Sequence, residues 1–366
     1  MSPTPPRGGP ATPARLPWAL RIEAHWRQPG LLWWTLLWPL SLLYRGASAL
    51  RRQLYRRGLL KAHALPVPVL VVGNRVAGGA GKTPTTIALV QGLQQRGRSP
   101  GILSRGFGGR HAVPTEVTAV SSATDVGDEP LLMQRRTGVP VWVGRDRVAA
   151  GHALLARHPE VDVLLCDDGL QHLRLRRDLE VVVFDERGAG NGHLLPAGPL
   201  REAVHTPSTA RRQWQVYNAP QASLALPGHL ARRRLTGLVA LADWWHGRPP
   251  DPATLPDLRP RPMLASAGIG QPARFFDALR TLGLERLTEW PLADHQDLAT
   301  LPWPADTADL VLTEKDAIKL DPQRLAHERP AMRVWVAPLG FELPEALLDE
   351  VAHALGSKDG ARSRAR

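Results

Sequence analysis

From residue 66 onward, short apolar runs alternate with longer stretches whose apolar residues recur every three or four positions. The short runs, at 67–72, 101–103, 139–143, 161–166 and 180–184, are rich in valine and leucine and read as buried strands. The longer stretches, at 83–96, 129–136 and 145–157, read as helices that lay one face on those strands. Such alternation predicts a parallel sheet with helices on both faces, binding ligands at the carboxyl ends of its strands. A basic, proline-containing stretch at 203–234 breaks the rhythm and reads as an irregular connector. Strands at 238–241, 263–266, 310–313 and 334–336, with helices at 273–282 and 344–355, then predict a smaller α/β lobe over 235–356.

The N-terminal pattern differs. Residues 31–44 are almost wholly apolar and carry Trp33, Trp34 and Trp38, but Pro39 interrupts them. The run falls short of the ~20 residues that span a bilayer. From Arg45 to Lys61, Leu54, Tyr55, Leu59 and Leu60 interleave with Arg51, Arg52, Arg56 and Arg57, and no acid intervenes. That is a basic amphipathic helix beside a tryptophan-rich one, suited to a headgroup interface. Residues 16–61 are therefore expected to attach to the inner face of a membrane. Two rivals are a signal peptide, opposed by the long proline-rich lead and the flanking arginines, and a helical hairpin packed on the protein's own core. Residues 1–15 and 357–366 read as disordered ends, and 62–202 as the main core.

Composition narrows the function little. The 366-residue chain is 43% hydrophobic, which excludes wholesale disorder, and its one cysteine, Cys166, fits a reducing compartment. A formal charge of +12 implies an anionic partner. Motifs say more. The first strand runs into Val76-Ala77-Gly78-Gly79-Ala80-Gly81-Lys82-Thr83, a glycine-rich turn opening a helix. Such a turn converges backbone N–H groups on phosphate oxygens, with Lys82 reaching the β/γ-phosphates and the Thr83 hydroxyl on Mg²⁺. The usual first glycine is Val76 here. The chain is expected to bind a nucleoside triphosphate, ATP, with Mg²⁺.

The strand at 161–166 ends in Asp167-Asp168, carboxylates placed to hold Mg²⁺ directly or through water. Asp128 opens a helix, where it caps the helix or does chemistry. Arg105, Arg145 and Arg147 follow strands and suit charge neutralisation in phosphoryl transfer. His295 comes from the second lobe and matters only where the lobes share a cleft. Gly268-Ile269-Gly270 lacks the rest of a dinucleotide fingerprint and reads as a tight turn.

Taken in order, the motifs resemble the tetraacyldisaccharide 4′-kinase family, the lipid A 4′-kinases of Gram-negative bacteria. The resemblance covers about residues 43–355. It rests on Val72-Gly73-Asn74, Gly78 to Pro84, Ser104-Arg105-Gly106, Gly127-Asp128-Glu129-Pro130, Asp167 to His172, His193 to Glu202, Asp294-His295 and Leu312 to Asp316. It implies a P-loop NTPase-type core that moves the ATP γ-phosphoryl to the 4′-hydroxyl of an acylated glucosamine disaccharide 1-phosphate, yielding lipid IVA. It also implies an Asp128–His295 pair that activates the hydroxyl, Asp167 and Asp168 with Mg²⁺, and Glu202 as a weaker member. Anionic inner-membrane lipids are expected partners, on the cytoplasmic face, and nucleic acid is not. Phe107 stands where tyrosine is common and Gln296 where a second histidine is common. The alternatives are a P-loop nucleotide switch or metallochaperone, opposed by Ala77 and by missing Cys/His clusters, and a nucleic-acid-binding ATPase, for which no module is recognisable.

Overall fold

A computed structural model describes residue 26 and residues 30–356. The expected disordered ends, and the part of 16–61 preceding Gly30 apart from Trp26, lie outside the described residues. The first sheet has eight strands in the order β3-β4-β2-β5-β1-β6-β7-β8. These are β1 (Val69–Gly73), β2 (Pro100–Ser104), β3 (Thr115–Val117), β4 (Val141–Val143), β5 (Val163–Asp167), β6 (Leu179–Asp185), β7 (Arg212–Asn218) and β8 (His229–Leu230). All pairings are parallel except that of β3 with β4 at one edge. Every residue of β1, β2, β5 and β6 is buried, as the continuous apolar runs require when helices cover both faces.

Register places the chemistry. Val72 lies opposite Asp167 in the β1–β5 pairing, so the turn leaving β1 and the acids leaving β5 emerge side by side. Helix Lys82–Gln95 starts from Gly81, whose φ of 93° suits a residue without a side chain. Helix Asp128–Thr137 carries Asp128 and Glu129 in its first turn and Arg135 and Arg136 in its last, matching the helix dipole.

Residues 203–234 are not an irregular connector throughout. They include β7 and β8, which extend the parallel sheet beyond β6. The polar residues of Arg-Gln-Trp-Gln-Val-Tyr-Asn hid β7, whose first half is only partly buried.

The second lobe has a five-stranded sheet, and a ribbon joins the lobes. The ribbon pairs β9 (Arg232–Leu235) with β15 (Leu339–Glu342), so the chain crosses between lobes twice at one place. The sheet order is β10-β14-β13-β11-β12, with β10 (Val239–Ala240), β11 (Met263–Ala267), β12 (Leu287–Pro291), β13 (Asp309–Thr313) and β14 (Arg333–Ala337). Helix Glu345–Leu355, expected with this lobe, returns to the first. Arg96 meets Glu345 at 2.6 Å and Asp349 at 2.7 Å, and Trp214 Nε1 donates to Glu350 at 2.8 Å.

The N-terminal helix runs unbroken from Leu31 to Arg56 through Pro39, whose ring is on the exposed side. One face docks on the loop after β6. Leu37 and Ser41 are buried, Ser41 Oγ donates to Leu194 O at 2.8 Å, and Tyr44 OH donates to Arg201 O at 2.9 Å. The other face leaves Leu36, Trp38, Leu40, Leu42, Leu43 and Leu50 exposed. Among the described residues, no helix is long and apolar enough to cross a membrane.

Candidate active site

The glycine turn after β1 is braced from below. Asn74 Nδ2 donates to Val76 O at 2.6 Å and to Gly78 O at 3.1 Å, and Asn218 Nδ2 donates to Ala80 O at 3.2 Å. Arg187 reaches Ala77 O at 3.2 Å and Gly79 O at 3.1 Å while paired with Asp185 at 2.8 Å. These contacts consume the loop's carbonyls and leave its N–H edge for an anion. A Cβ on Gly81 would stand 2.4 Å from Asn218 Nδ2, so glycine is required there.

At the end of β5, Asp167 is 1% exposed and accepts from Thr86 Oγ1 at 2.8 Å. Burial, aided by Glu129 and Asp168, pushes its carboxyl up to about 7. Asp168 adopts a left-handed backbone, φ 48°, and is paired with Lys82 at 3.7 Å and Arg201 at 3.1 Å. Burial works against its charge, but Lys82 and Arg201 hold it below the usual carboxylate range. Asp167, Asp168 and the Thr83 side chain face one cavity, an all-oxygen donor set of the kind Mg²⁺ takes when nucleotide phosphates complete the shell. Asp167 is the carboxylate short of positive charge, so the residues fit a divalent cation. Among the described residues, no group of three or more Cys, His, Asp or Glu could hold a metal unaided.

The third component crosses between lobes. Asp128 opens its helix, and its Oδ1 accepts from the first-turn Glu129 N at 2.8 Å. It is 5% exposed, and both oxygens meet His295 Nδ1, at 3.1 and 3.0 Å. Lys319 Nζ approaches Asp128 Oδ2 at 3.7 Å. Burial would raise the Asp128 pKa, but the His295 hydrogen bond and the charges of Lys315 and Lys319 lower it below the ordinary value. The same bond raises His295. His295 sits in a left-handed conformation, φ 59°, so the loop accepts strain to aim the ring across the gap.

One cavity of about 1180 Å³ between the lobes is lined by Lys82, Thr83, Asp167, Asp168 and His295, together with Arg105, Arg145, Arg147 and Arg201. A family model described as tetraacyldisaccharide-1-P 4′-kinase matches residues 33–356. The chain belongs to that family. Curated relatives named tetraacyldisaccharide 4′-kinase include one from Leptothrix cholodnii, 64% identical over 93% of this chain and 97% of the relative. Another, from Methylibium petroleiphilum, is 52% identical over 97% of this chain and 98% of the relative. The chain also resembles a crystal structure of LpxK from Aquifex aeolicus in complex with ATP, at a TM-score of 0.71 and 28% identity, covering 88% of this chain and 99% of that one.

Against the 4′-kinase family pattern, most expected residues converge on the cavity, but Val76, Ala77, Asp128 and Glu202 do not line it. Ala77 N donates instead to Pro199 O at 2.7 Å, and Asp128 is joined to the cavity through His295. Glu202 accepts from Gln171 at 3.2 Å. Arg147 is buried to 5% exposure, with its Nε unpartnered, and stands below the surface rather than over it. Phe107 packs its ring 5.1 Å from that of His295, and Gln296 turns back to accept from Ala293 N at 3.1 Å. Sequence reasoning missed Arg187 and Asn218 as braces of the phosphate loop, and the roles of Arg201, Lys315 and Lys319. The last three lie inside or beside quoted motifs, Pro199-Leu200-Arg201-Glu202 and Thr313-Glu314-Lys315-Asp316, which was the available signal.

Proposed function

We propose that this chain transfers the γ-phosphoryl group of ATP to the 4′-hydroxyl of a tetraacylated glucosamine disaccharide 1-phosphate, making lipid IVA in lipid A biosynthesis. The observation that carries this is the pairing of buried Asp128 with His295, which lines the same cavity as Lys82 and the phosphate loop. A nucleotide switch needs a phosphate loop and a metal site, but has no use for a carboxylate–imidazole pair whose imidazole comes from the opposite lobe. In this reading the sugar O–H bond breaks as the new O–P bond forms, the β–γ bridge opens to release ADP, and the proton passes to Asp128. Lys82, with Arg105 and Arg201 at the cavity wall, neutralises charge on the phosphoryl group in flight. Thr83 and the Asp167–Asp168 pair would hold Mg²⁺, which when bound would supply further electrostatic stabilisation to the phosphates.

The substrate's acyl chains set the place of work. The exposed apolar face of the N-terminal helix supports attachment to the cytoplasmic face of the inner membrane, in peripheral or monotopic fashion. Tyr44 and Arg51 of that helix also line the cavity, so membrane and active site meet along one element. The test is incubation with ATP, Mg²⁺ and the tetraacyl disaccharide 1-phosphate, followed by mass spectrometry of the lipid. Gain of one phosphoryl group on the 4′ side is expected. ATP turnover with an unmodified lipid would overturn the reading in favour of a nucleotide switch.

A further inference from the structure

Lys315 lies outside the residues so far given a part in the reaction, yet its ammonium touches the far nitrogen of His295. Nζ is 3.3 Å from His295 Nε2, 2.8 Å from Asp294 Oδ1 and 3.3 Å from Glu129 Oε1. Burial works against charge on this amine, but Glu129, Asp128 and Asp294 overcome it and raise its pKa above the ordinary lysine value. An ammonium has three N–H donors and no lone pair, so it can only donate. His295 Nε2 must then present its own lone pair. The ring's remaining N–H sits on Nδ1, which faces both oxygens of Asp128.

We infer that Lys315 is a positioning residue that holds His295 as the neutral Nδ1–H tautomer, aimed at Asp128, and leaves Asp128 to take the proton from the acceptor hydroxyl. The proton's origin rests on the phosphoryl-transfer reading above, whereas the tautomer does not. An imidazolium would put an Nε2–H head-on against the Lys315 ammonium, and two donors at that distance repel. The Asp128 hydrogen bond and the charges of Asp128 and Asp294 raise the ring's pKa, and the Lys315 charge opposes that rise. Asp128 and Glu129 come from the first lobe, and Asp294, Lys315 and Lys319 from the second, with Lys319 shared between Asp128 and Asp316. The Phe107 ring covers His295 from the side without competing for either nitrogen. Because Lys315 and His295 belong to one lobe and Asp128 and Glu129 to the other, the pairing is complete only where the lobes meet.

The experiment uses full-length protein labelled with ¹⁵N-histidine, read by long-range ¹H–¹⁵N spectra through a pH titration, with His295→Gln to assign the signal. Wild type above its midpoint is expected to give an N–H-bearing Nδ1 and a lone-pair Nε2. Lys315→Met removes a neighbouring cation and should raise the His295 midpoint by about 1–3 units. The acid limb of kcat/KM should move up with it, and the neutral-pH rate should fall on the order of 10²-fold through misplacement of the pair. Lys315→Arg keeps charge and donors and should restore most of the rate. An Nε2–H signature in wild type would overturn the inference, and this needs no variant to fold. So would an unmoved His295 midpoint in Lys315→Met, even with activity lost, since that is what a purely structural lysine gives. Neither spectrum requires substrate, so a failed lipid assay and a failed tautomer assignment are separate results.

Discussion

Asp128 is a carboxylate almost sealed from water that nonetheless stays ionised, because His295, Lys315 and Lys319 replace the solvent it lost. In the proposed reaction that suits it to act as a base with a defined partner. A sugar hydroxyl is too weak an acid to ionise beforehand, so a nearby base must accept its proton as the phosphoryl group arrives. Asp128→Asn and His295→Ala should each slow single turnover by about 10²–10⁴-fold. Residues acting as a unit are non-additive, so the double variant should be little worse than the poorer single one. Multiplicative losses would show that they act apart. The pair also leaves a mark on stability. The lowered Asp128 contributes above its unfolded value of ~3.9 and loses that contribution as pH falls through its folded value. The raised His295 contributes fully below its unfolded value of ~6.5 and loses that share as pH rises through its folded value. Denaturant unfolding of wild type and Asp128→Asn should therefore differ most between ~pH 4 and ~6.5 and converge on either side.

Among the elements, those with unbroken apolar sequence were legible. Val69–Gly73, Val163–Asp167 and Asp309–Thr313 announce themselves because both faces of each strand are buried and the code for that is continuous. Leu287–Pro291 at a sheet edge and Arg212–Asn218 were not, because partly exposed strands keep polar residues that also suit loops. The site divides the same way. Residues carried by a local pattern, Lys82 and Asp167 among them, could be placed from sequence. Lys315, Arg187 and Asn218 act across long sequence separations that only tertiary packing fixes. The phosphate loop shows how such packing constrains an element. Gly81 has φ 93° with Asn218 against its open side, whereas a Cβ on Gly79 would meet nothing within 4 Å. Forcing a side chain into the first position costs about 1–3 kcal/mol of strain before the clash is counted. Gly81→Ala should thus weaken ATP binding by on the order of 10-fold or more, and Gly79→Ala should do less. Calorimetric titration with nucleotide checks this, and equal effects from the two alanines would refute the steric account.

At the scale of the whole molecule, the catalytic cavity has to meet a substrate whose acyl chains never leave the bilayer. The N-terminal helix divides its faces accordingly. Leu37, Ser41 and Tyr44 point at the protein, while Leu36, Leu43 and Leu50, spaced by seven, are 61%, 70% and 61% exposed. Heptad spacing puts those three on one side of the helix, next to the face from which Tyr44 and Arg51 reach the cavity. On the reading proposed above, a +12 protein with an apolar strip beside its candidate site would rest on anionic lipid with that strip immersed. Replacing Leu36, Leu43 and Leu50 together by serine removes apolar contact without touching the packed face. Taking about 1 kcal/mol for each partly immersed leucine, vesicle partitioning should weaken by about 100-fold. Melting temperature should hold, because the three side chains contribute little to the core. Turnover of detergent-dispersed lipid should also hold, whereas KM for substrate in phosphatidylglycerol vesicles should rise. Flotation with the triple variant decides the matter. Undiminished binding would mean that the exposed strip serves something other than the membrane, and a large drop in melting temperature would mean that it packs on the protein after all.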